Sequence, residues 1–412
     1  MRRLYSKWTT VSDIITKKHF TNDSISVKGW VKSTRKMKDL IFIDIDDGSC
    51  ASKLQIVIPK HMKQSHLTFG SSVEAEGKLK LNPTNNQLEI LADCLNVVGT
   101  CDPTSGYPFA ARKSYPDDYI RQFLHFRPRH SSFASIMRIR DALTRGLHDV
   151  LATMGFLMVH TPVLTSNDCE GAGEVFSVSP HSEKLKKEMA REGSSPEIAY
   201  FNNKAFLTVS GQLHLEAAVR GLSKVYTFGP VFRAENSRSR LHLSEFYMLE
   251  AEVAFSEDLE DAMILAENLC RKTITMTILQ EHSSKLDVPP PQFGEPLGKE
   301  HELFLSQHME QQCGQPMLFV LAFDLLGPVA GEVCGGSVRE PSAVIIEQRL
   351  KSLENGESLL KGLQWYLDIR RHGNVPTSGF GLGFERFLQS LLGISNIKDT
   401  LPFPRWPHSL KM

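Results

Sequence analysis

The sequence predicts an α+β protein: a small closed β-barrel followed by a larger domain in which helices flank an antiparallel sheet. Short runs of alternating apolar and polar residues, separated by turn-forming residues, fill the first quarter of the chain. Farther on, apolar residues recur at helical spacing, and strand-like runs lie between two such helical segments. These changes divide the chain into an N-terminal extension (1–23), the barrel (24–100), a linker (101–130) and the α+β domain (131–412).

Composition and charge restrict the class of protein. Of the 412 residues, 41% are hydrophobic and 23% are charged, which is ordinary for a folded protein and unlike a disordered one. The 47 basic and 47 acidic residues give a formal net charge of zero, which argues against a general nucleic-acid coating protein but allows one local basic face. The apolar run Met317–Phe323 is far shorter than the ~18 residues that a membrane span requires, so we expect no membrane partner.

The cysteines and the N-terminus bear on the cellular compartment. None of the seven cysteines forms a Cys-x-x-Cys pair, which predicts free thiols in a reducing compartment rather than a zinc site or a disulfide framework. The chain begins with Arg2, Arg3 and Lys7, and no acidic residue precedes Asp13. A basic, acid-poor start is typical of a mitochondrial presequence, so we expect a mitochondrial matrix protein, with the cytoplasm as the alternative.

Five short strands are predicted in the barrel. Asp46-Asp47-Gly48-Ser49 supplies a turn between the second and third strands, and Asn82-Pro83-Thr84-Asn85-Asn86 supplies one between the fourth and fifth. Five strands joined by such turns fit a closed barrel of the OB type. The predicted strands cover residues 25–31, 40–45, 54–58, 72–81 and 87–91.

The α+β domain is predicted to contain two helices with strands between them. Apolar residues recur at steps of three or four over residues 136–150, and Gly155 ends this helix. A second helix is predicted to begin at Ser256, because Glu257 and Asp258 would supply negative charge to its first turn. The charged stretch 182–195 is predicted to be a solvated excursion. The strand-like runs cover residues 206–209, 224–228 and 245–255.

A predicted hairpin in this domain carries cations at its tip. Phe232-Arg233-Ala234-Glu235-Asn236 is followed by a loop with Arg238, Arg240 and His242, and then by a strand that opens with Glu245-Phe246. A guanidinium fork matches two phosphate oxygens, so the arrangement suits a polyphosphate ligand. An arginine loop is also typical of a solvated surface, and the residues alone leave that alternative open.

A glycine-rich strand forms a second candidate motif. Gly379-Phe380-Gly381-Leu382-Gly383-Phe384-Glu385-Arg386 leads into a predicted helix. Glycines within a strand admit the close approach of a flat ligand or of another backbone. A simple Gly-x-Gly turn is the alternative interpretation.

The cationic hairpin and the glycine-rich strand, taken together, are specific enough to indicate a known family. Phe-Arg-x-Glu with Glu-Phe, followed by Gly-x-Gly-x-Gly-Phe-Glu-Arg, resembles motifs 2 and 3 of the class II aminoacyl-tRNA synthetases. The segment from Met154 to Pro162 resembles motif 1, a helix and strand that form the dimer interface, which implies a homodimer. The OB-type barrel in front narrows the resemblance to the subgroup for aspartate, asparagine and lysine. The resemblance runs from about Ile25 to Pro407.

This resemblance implies an ATP site. Arg233 matches the motif 2 arginine on the α-phosphate, and Glu235 matches its neighbour beside adenine. Phe246 matches the ring stacked under adenine, and Arg386 matches the arginine on the other face of adenine and near the γ-phosphate. His242 is a further candidate on the γ-phosphate side, and Glu332 is the sixth residue that the resemblance assigns to ATP binding.

The resemblance also implies Mg²⁺ and a mode of catalysis. Asp324 and Glu332 match the Mg²⁺ carboxylates of the family, in keeping with the preference of this ion for hard oxygen ligands. The expected reaction is attack of an amino-acid carboxylate on the α-phosphate of ATP, with transfer of the product to tRNA. Arg233, Arg386 and Mg²⁺ are expected to supply most of the rate by positioning and charge neutralisation, and no general base is required.

The residues around Gln212 indicate which amino acid is used. The run Gln-Leu-His-Leu-Glu that begins there resembles the asparagine-specific members, whereas aspartate-specific members carry Gln-x-x-Lys and this chain has Leu215 at the lysine position. Loss of a cation suits a neutral carboxamide, since a buried unpaired charge is costly. Arg339 is then expected to donate to the amide oxygen and Glu250 to accept from the amide nitrogen. By the same resemblance, Glu170 and Gln212 hold the amino group and the carboxylate end.

Three barrel residues match the anticodon-binding residues of the subgroup. Phe42 is expected to stack on a splayed base, a contact worth ~1–3 kcal/mol. Arg35 is expected to pair with phosphate or a base edge, and Gln55 to read a base edge. The implied partner is tRNA(Asn).

The chain also departs from the subgroup in two places. A longer helical stretch of the family is replaced here by a passage from Glu281 to Val288 and Pro289-Pro290-Pro291. A hairpin that lines the amino-acid pocket in the family has no room here, because Val320 is followed almost at once by Asp324. A strand and part of the pocket wall are therefore expected to be missing, with loss of activity and stability.

The sequence thus favours an enzyme that activates asparagine with ATP and charges tRNA(Asn). Two alternatives stay open. One is a synthetase-like RNA-binding protein that keeps the barrel and has lost adenylation. The other is an aspartate-specific enzyme of the same subgroup.

Overall fold

The chain divides into two compact units, residues 1–135 and 136–412. The predicted linker, 101–130, thus falls within the first unit. The structure is a computed structural model, and it describes residues 8–17, 24–62, 64–83, 86–102, 104–166, 175–191, 195, 198–281, 318–320, 324–353 and 356–412. The basic residues 2, 3 and 7 lie outside these ranges.

A closed five-stranded barrel forms the centre of the first unit, as predicted. Its strands are β1 (Ser24–Lys36), β2 (Leu40–Asp46), β3 (Leu54–Pro59), β4 (Ser72–Leu81) and β5 (Leu88–Gly99). They run in the order β1-β2-β3-β5-β4, and pairing of β1 with β4 closes the barrel. All neighbours are antiparallel except β3 and β5. The unit also contains helices α1 (Val11–Lys17) and α2 (Asp117–Ile120).

Alternation of side chains along the strands fills the barrel. In β2, Ile41, Ile43 and Ile45 are buried, whereas Phe42 and Asp44 between them are half-buried on the outer face. Successive strand residues point to opposite faces, so this pattern is the expected one. The fifth strand extends beyond its predicted end at residue 91, because it keeps pairing with β4 as far as residue 99.

The second unit contains two sheets. The larger sheet has seven strands in the order β12-β13-β14-β15-β11-β10-β6, and the smaller has the order β7-β9-β8. All neighbours in the larger sheet are antiparallel except β6 and β10. The strands are β6 (Leu157–Met158), β7 (Leu164–Thr165), β8 (Ser177–Val178), β9 (Ala205–Leu207), β10 (Lys224–Phe232), β11 (Glu245–Ala254), β12 (Leu318–Val320), β13 (Asp324–Gly327), β14 (Gly331–Val338) and β15 (Thr377–Gly383).

Helices pack on the large sheet, which confirms the predicted α+β class. The helices are α3 (Ser131–Thr153), α4 (Glu183–Met189), α5 (Gln212–Leu222), α6 (Leu259–Glu281), α7 (Ala343–Lys351), α8 (Gly356–Gly362), α9 (Gln364–Arg371) and α10 (Phe384–Leu392). Leu147 of α3, Leu269 of α6 and Phe387 of α10 are buried in one core with Leu249 and Leu382 of the sheet. Within the described ranges, no helix has the length and apolar character needed to cross a membrane.

One local prediction needs correction, and a second is confirmed as solvent-exposed but contains a helix. The helix expected at Ser256 begins at Leu259, because Asp258 accepts the N–H of Glu260 at 2.9 Å while the Ser256 hydroxyl accepts a buried hydrogen bond from Ser378 at 2.7 Å. The charged stretch 182–195 contains the short helix α4. Its N-terminus is capped by Ser182, whose hydroxyl accepts the N–H of Leu185 at 3.2 Å.

Candidate active site

The hairpin β10–β11 and the neighbouring strand β15 build one pocket. Strands β10 and β11 are paired from Lys224 opposite Val253 to Phe232 opposite Glu245, the pair that flanks the connecting loop. Strand β15 pairs with the other side of β11. All six residues expected to bind ATP line this pocket. They are Arg233, Glu235, His242, Phe246, Glu332 and Arg386.

Phe246 provides an aromatic wall of this ATP pocket. Its ring packs on the apolar cluster of Leu243, Ile397 and Leu401. The guanidinium carbon of Arg233 lies 5.5 Å from the ring centre. A flat ring with one face supported and a cation beside it is a suitable surface for a stacked base.

The C-terminal segment braces the loop between β10 and β11. The N–H of Ser244 donates to the carbonyl of Arg405 at 2.8 Å, and Lys398 donates to the carbonyl of Ser239 at 3.2 Å. At the tip of the loop, Arg238 and His408 are hydrogen-bonded at 2.6 Å. The cationic loop is therefore fixed by contacts at three points, which disfavours the interpretation of a freely solvated loop.

His242 and Glu235 face each other within the loop. The His242 Nε2 atom lies 3.7 Å from a carboxylate oxygen of Glu235, and its Nδ1 atom contacts the Ser239 hydroxyl. Both side chains remain about one-third exposed. The pair borders the ATP pocket and is accessible to a ligand.

The start of α10 positions Arg386. Buried Glu385 is ion-paired with Arg140 of α3 at 2.7 Å and accepts the N–H of Tyr247 at 2.9 Å, which anchors the helix to β11. Arg386 donates to the carbonyl of Glu332 at 3.0 Å, and its Nη1 atom lies 3.8 Å from the carboxylate of that residue.

The glycines of β15 make room for side chains of β11. A Cβ atom at Gly379 would lie 2.2 Å from a carboxylate oxygen of Glu252, and one at Gly381 would lie 3.2 Å from the Met248 sulfur. The first separation is impossible without a shift of the neighbour. The glycine-rich pattern is thus explained by close approach, one of the two interpretations open from the sequence.

Asp324 and Glu332 converge on one point beside the ATP pocket. A Cβ atom at Gly335 would lie 2.9 Å from Glu332 Oε1 and 3.1 Å from Asp324 Oδ1. Among the residues that the structure describes, no group of three or more His, Cys, Asp or Glu side chains could hold a metal. Two carboxylates still fit Mg²⁺, which keeps several waters and commonly takes one or two protein carboxylates together with substrate phosphates.

A second, adjoining pocket contains the residues expected to bind the amino acid. Gln212, Glu250 and Arg339 line it, and it shares Arg233 and Glu332 with the ATP pocket. We call it the amino-acid pocket. Asp324 and Glu252 also line it. Glu170, the remaining predicted residue, lies outside the described residues.

Glu250 belongs to β11, and its side chain is buried beside the start of helix α5. Its carboxylate accepts hydrogen bonds from the Ser210 hydroxyl and from the N–H of Gly211, the latter at 2.7 Å. Burial raises the pKa of Glu250, and these two donors oppose the rise. A Cβ atom at Gly211 would lie 2.8 Å from the Thr161 hydroxyl, 3.0 Å from the Thr227 methyl group and 3.1 Å from Glu250, and this crowding explains glycine at this position.

Arg339 is held by two carboxylates, Glu252 and Glu216, that were not predicted from the sequence. Its guanidinium is hydrogen-bonded to buried Glu252, with the Nε–Oε1 distance at 3.1 Å, and its Nε lies 3.7 Å from buried Glu216. The alternation of β11 carried a signal for this contact, because Glu250 and Glu252 are two residues apart and lie on one face. Glu252 Oε2 has no hydrogen-bond partner among the described residues.

Leu215, at the position of the family lysine, does not line the amino-acid pocket. It is fully buried and packs with Val219, Val225 and Ala254. No cation is therefore supplied to the pocket from this position, as the sequence indicated. A lysine here would need to reach out of an apolar cluster.

The three predicted anticodon residues share one outer face of the barrel. Arg35 and Phe42 are cross-strand partners, and the guanidinium carbon lies 4.8 Å from the ring centre. Gln55 is the cross-strand partner of Asp44, two residues from Phe42, and its amide nitrogen lies 3.5 Å from the Asp44 carboxylate. An aromatic ring, a cation and an amide on one sheet surface suit single-stranded nucleic acid.

Comparison with known proteins agrees with this site. A family model described as "tRNA synthetases class II (D, K and N)" matches residues 118–296 and 286–407, and one described as "OB-fold nucleic acid binding domain" matches residues 25–98. The asparaginyl-tRNA synthetase of Mus musculus is 38% identical over 459 aligned residues, covering 97% of this chain and 93% of the relative. An asparagine–tRNA ligase of Legionella pneumophila (strain Lens) is 35% identical, covering 94% and 95%.

The fold of this chain is also similar to that of a solved structure. The asparaginyl-tRNA synthetase from Pyrococcus horikoshii, complexed with asparaginyl-adenylate, matches 98% of this chain and 100% of its own with a TM-score of 0.73 and 26% identity. The sequence relatives cover nearly the whole chain at more than one-third identity. With the OB barrel, the braced motif 2 hairpin and the motif 3 strand, this places the chain in the asparaginyl-tRNA synthetase family of class II enzymes.

Proposed function

We propose that the chain is an asparagine–tRNA ligase, which forms asparaginyl-adenylate from asparagine and ATP and transfers asparagine to tRNA(Asn). The observation that carries the proposal is the junction of two pockets. The six residues for ATP and the three described residues for the amino acid line adjoining cavities that share Arg233 and Glu332. The reacting carboxylate and the α-phosphate would meet at this junction.

Arg233 is the residue best placed to assist the first step. In that step the asparagine carboxylate attacks the α-phosphorus of ATP and pyrophosphate leaves. Since Arg233 borders both pockets, its guanidinium can neutralise charge on the α-phosphate as the new bond forms. Arg386, which lines the ATP pocket but not the amino-acid pocket, is assigned to the leaving pyrophosphate. Positioning and charge neutralisation account for such a reaction without a general base.

Asp324 and Glu332 would hold Mg²⁺ together with the phosphates. When bound, the ion supplies further charge neutralisation on the phosphate oxygens. The convergence of the two carboxylates beside the shared wall of the pockets supports this assignment. Glu332 also holds Arg386, so the same residue would place the cation and the arginine on one polyphosphate.

The barrel is proposed to bind the anticodon of tRNA(Asn) through Arg35, Phe42 and Gln55. Their common outer face supports this assignment. The acceptor end of the tRNA, to which the amino acid is attached, would bind to the second unit. The two activities are then separable by mutation.

A homodimer is proposed from an apolar segment at the edge of the large sheet. Strand β6 is the last strand of that sheet, and Leu157, Met158, Val163 and Leu164 in and after it are each 37–52% exposed. An exposed apolar strip on an edge strand marks an association surface. Sedimentation equilibrium should give twice the chain mass of 46.3 kDa, and Leu157→Glu should lower it toward the monomer mass.

A mitochondrial location is proposed from the basic, acid-poor start of the chain. Incubation of the radiolabelled full chain with isolated mitochondria tests it. Uptake into a protease-protected form that depends on the membrane potential supports the proposal. A chain that remains fully digestible contradicts it and favours the cytoplasm.

The alternative of an RNA-binding protein without adenylation has one specific observation in its favour. The alignment to the mouse relative spans 459 positions, more than the 412 residues of this chain, and the class II family match is broken near residues 286–296. The longer alignment and the divided match together support the proposal that segments present in the relatives are missing from this chain.

ATP–pyrophosphate exchange separates these functions. Run side by side, the assay should show exchange that depends on asparagine and much less with aspartate. Exchange with aspartate at an equal or higher rate would indicate an aspartate-specific enzyme. Absence of exchange with either amino acid, together with retained tRNA binding, would indicate the RNA-binding alternative.

A further inference from the structure

A buried carboxylate, Glu216, links the two residues proposed to hold asparagine. One of its oxygens accepts a hydrogen bond from the Gln212 amide at 2.9 Å and lies 3.7 Å from the Nε atom of Arg339. Its side chain is completely inaccessible to solvent. Because Gln212 and Arg339 lie on different elements, α5 and the segment after β14, one carboxylate fixes their separation.

The other oxygen of Glu216 is held from the opposite side. It accepts hydrogen bonds from Arg370 at 2.6 Å and from the Tyr366 hydroxyl at 2.7 Å, both on α9. Arg370 is itself fully buried and also donates to the carbonyl of Glu340 at 2.8 Å. The carboxylate is therefore immobilised by three donors and presents its charge to Arg339 from a fixed place.

The charge balance at Arg339 follows from this geometry. Its guanidinium faces two carboxylates, Glu252 in hydrogen-bond contact and Glu216 within 4 Å. The positive charge of Arg339 is thus compensated by protein groups before any substrate enters. Its N–H groups can still donate to a neutral amide oxygen. A substrate carboxylate, by contrast, would add an unbalanced negative charge to a cluster in which Glu216 and Glu252 already offset Arg339 and Arg370.

We propose that Glu216 is a specificity-determining positioning residue: it sets Gln212 and Arg339 in place, and its negative charge disfavours aspartate relative to asparagine at Arg339. This inference rests on the proposed function. Two features then act against aspartate: the Glu216 carboxylate behind Arg339, and the presence of Leu215 where aspartate-specific members have a lysine. Glu216 follows Leu215 directly in helix α5, and both residues lie behind the side chains that line the pocket.

Glu216→Gln is the direct test, because it keeps the shape and removes the charge. The proposal predicts that the ratio of kcat/KM for asparagine to that for aspartate, measured by pyrophosphate exchange, falls about tenfold, in line with the cost of like charges at a buried site. Tyr366→Phe is the matched control. It removes a hydrogen bond to the same carboxylate and leaves the charge, so it should raise KM for asparagine and change the ratio by less than about threefold.

The double variant Glu216→Gln with Arg370→Gln separates charge from geometry. It removes one buried negative and one buried positive group, so the ratio should return toward the wild-type value. A merely structural role of Glu216 predicts instead that the double variant is at least as impaired as the single one, with both amino acids affected alike. Either an unchanged ratio in Glu216→Gln or equal loss for both amino acids would overturn the proposal.

Binding of stable sulfamoyl analogues of the two adenylates gives a readout that is independent of turnover. Competition between the asparaginyl and aspartyl analogues in one preparation yields an affinity ratio that does not depend on the folded fraction, so a poorly folding variant still gives a result. Wild-type protein that binds neither analogue contradicts the proposed function itself. Wild-type protein that prefers the asparaginyl analogue, with the same ratio in Glu216→Gln, contradicts only the role of Glu216.

Discussion

At the scale of single residues, the site is built from side chains that lie on one face of β11 and from glycines opposite them. Glu250 and Glu252 point toward the amino-acid pocket, and Gly379 of β15 leaves the space that Glu252 fills. Glycine in a strand interior costs stability on its own, so its presence here is explained by the contact it permits. The proposed substrate contacts therefore depend also on Gly379, which does not itself line the pocket.

Gly379→Ala tests that dependence. The added Cβ would lie 2.2 Å from the Glu252 carboxylate and 2.5 Å from the carbonyl of Ala251, so the strand pair must shift. Overpacking of this kind costs ~1–3 kcal/mol of folding stability. Both the thermal midpoint and the rate of asparagine-dependent pyrophosphate exchange should therefore fall. Gly221→Ala is the control, since its Cβ would meet nothing within 4 Å and alanine favours helix α5. Equal behaviour of the two variants would contradict the close-approach explanation.

The buried carboxylate of Glu252 should give the protein a characteristic pH dependence. Burial raises its pKa to about 7, Arg339 opposes the rise and Glu216 adds to it. A carboxyl group whose folded pKa exceeds its unfolded value binds more protons in the folded state. Its contribution to stability is therefore full at low pH and is lost as the pH rises from about 4.5 to about 7.

Chemical denaturation at several pH values checks this expectation. As the pH rises from about 4.5 to about 7, the wild-type protein should lose stability relative to Glu252→Gln, so the free energies of unfolding should shift in favour of the glutamine variant. A difference that is constant from pH 4.5 to 7 would show that Glu252 titrates at an ordinary value in the folded protein.

At the scale of elements, the barrel could be predicted from local sequence patterns more fully than the second unit could. Alternation along β2 predicted the buried isoleucines and left Phe42 outside, as found. Helix α6 begins three residues after the predicted Ser256, because that serine is hydrogen-bonded to β15 rather than to the helix, and such a tertiary contact leaves no local sequence signal. The same holds for Glu216, whose partners on α9 are about 150 residues away.

Phe42→Ala tests the proposed role of the barrel face. Stacking on a splayed base is worth ~1–3 kcal/mol, so charging of tRNA(Asn) should weaken by about tenfold while pyrophosphate exchange is unchanged. Leu81→Ala, at a position 51% exposed near the end of β4, serves as the control. A parallel fall in charging and exchange would mean that Phe42 supports the fold instead.

At the scale of the whole molecule, the departure from the family that we propose lies between Val320 and Asp324. Strands β12 and β13 are antiparallel neighbours there, with Val320 opposite Asp324, and residues 321–323 between them lie outside the described residues. The sequence predicted a missing hairpin at this point from the family pattern. A shortened pocket wall would admit water and weaken the electrostatic interactions that assist adenylation.

Insertion of the corresponding hairpin from a relative between Val320 and Asp324 should therefore raise activity. The expected result is a lower KM for asparagine and a higher thermal midpoint than in the natural chain, because inner-strand N–H and C=O groups gain partners worth ~1–3 kcal/mol each. A Gly/Ser insert of equal length is the control. No gain over that control would indicate that another segment already completes the pocket.

The central claim is that one continuous site in this chain joins asparagine to ATP and then to tRNA. Transfer of labelled asparagine to tRNA(Asn), measured in a single turnover, tests it most directly, with Arg233→Gln as the variant because Arg233 borders both pockets. We expect charged tRNA with the wild-type chain, far less product with labelled aspartate, and a loss of at least about a hundredfold in Arg233→Gln. Charging that survives unchanged in Arg233→Gln, or that proceeds equally with aspartate, would contradict it.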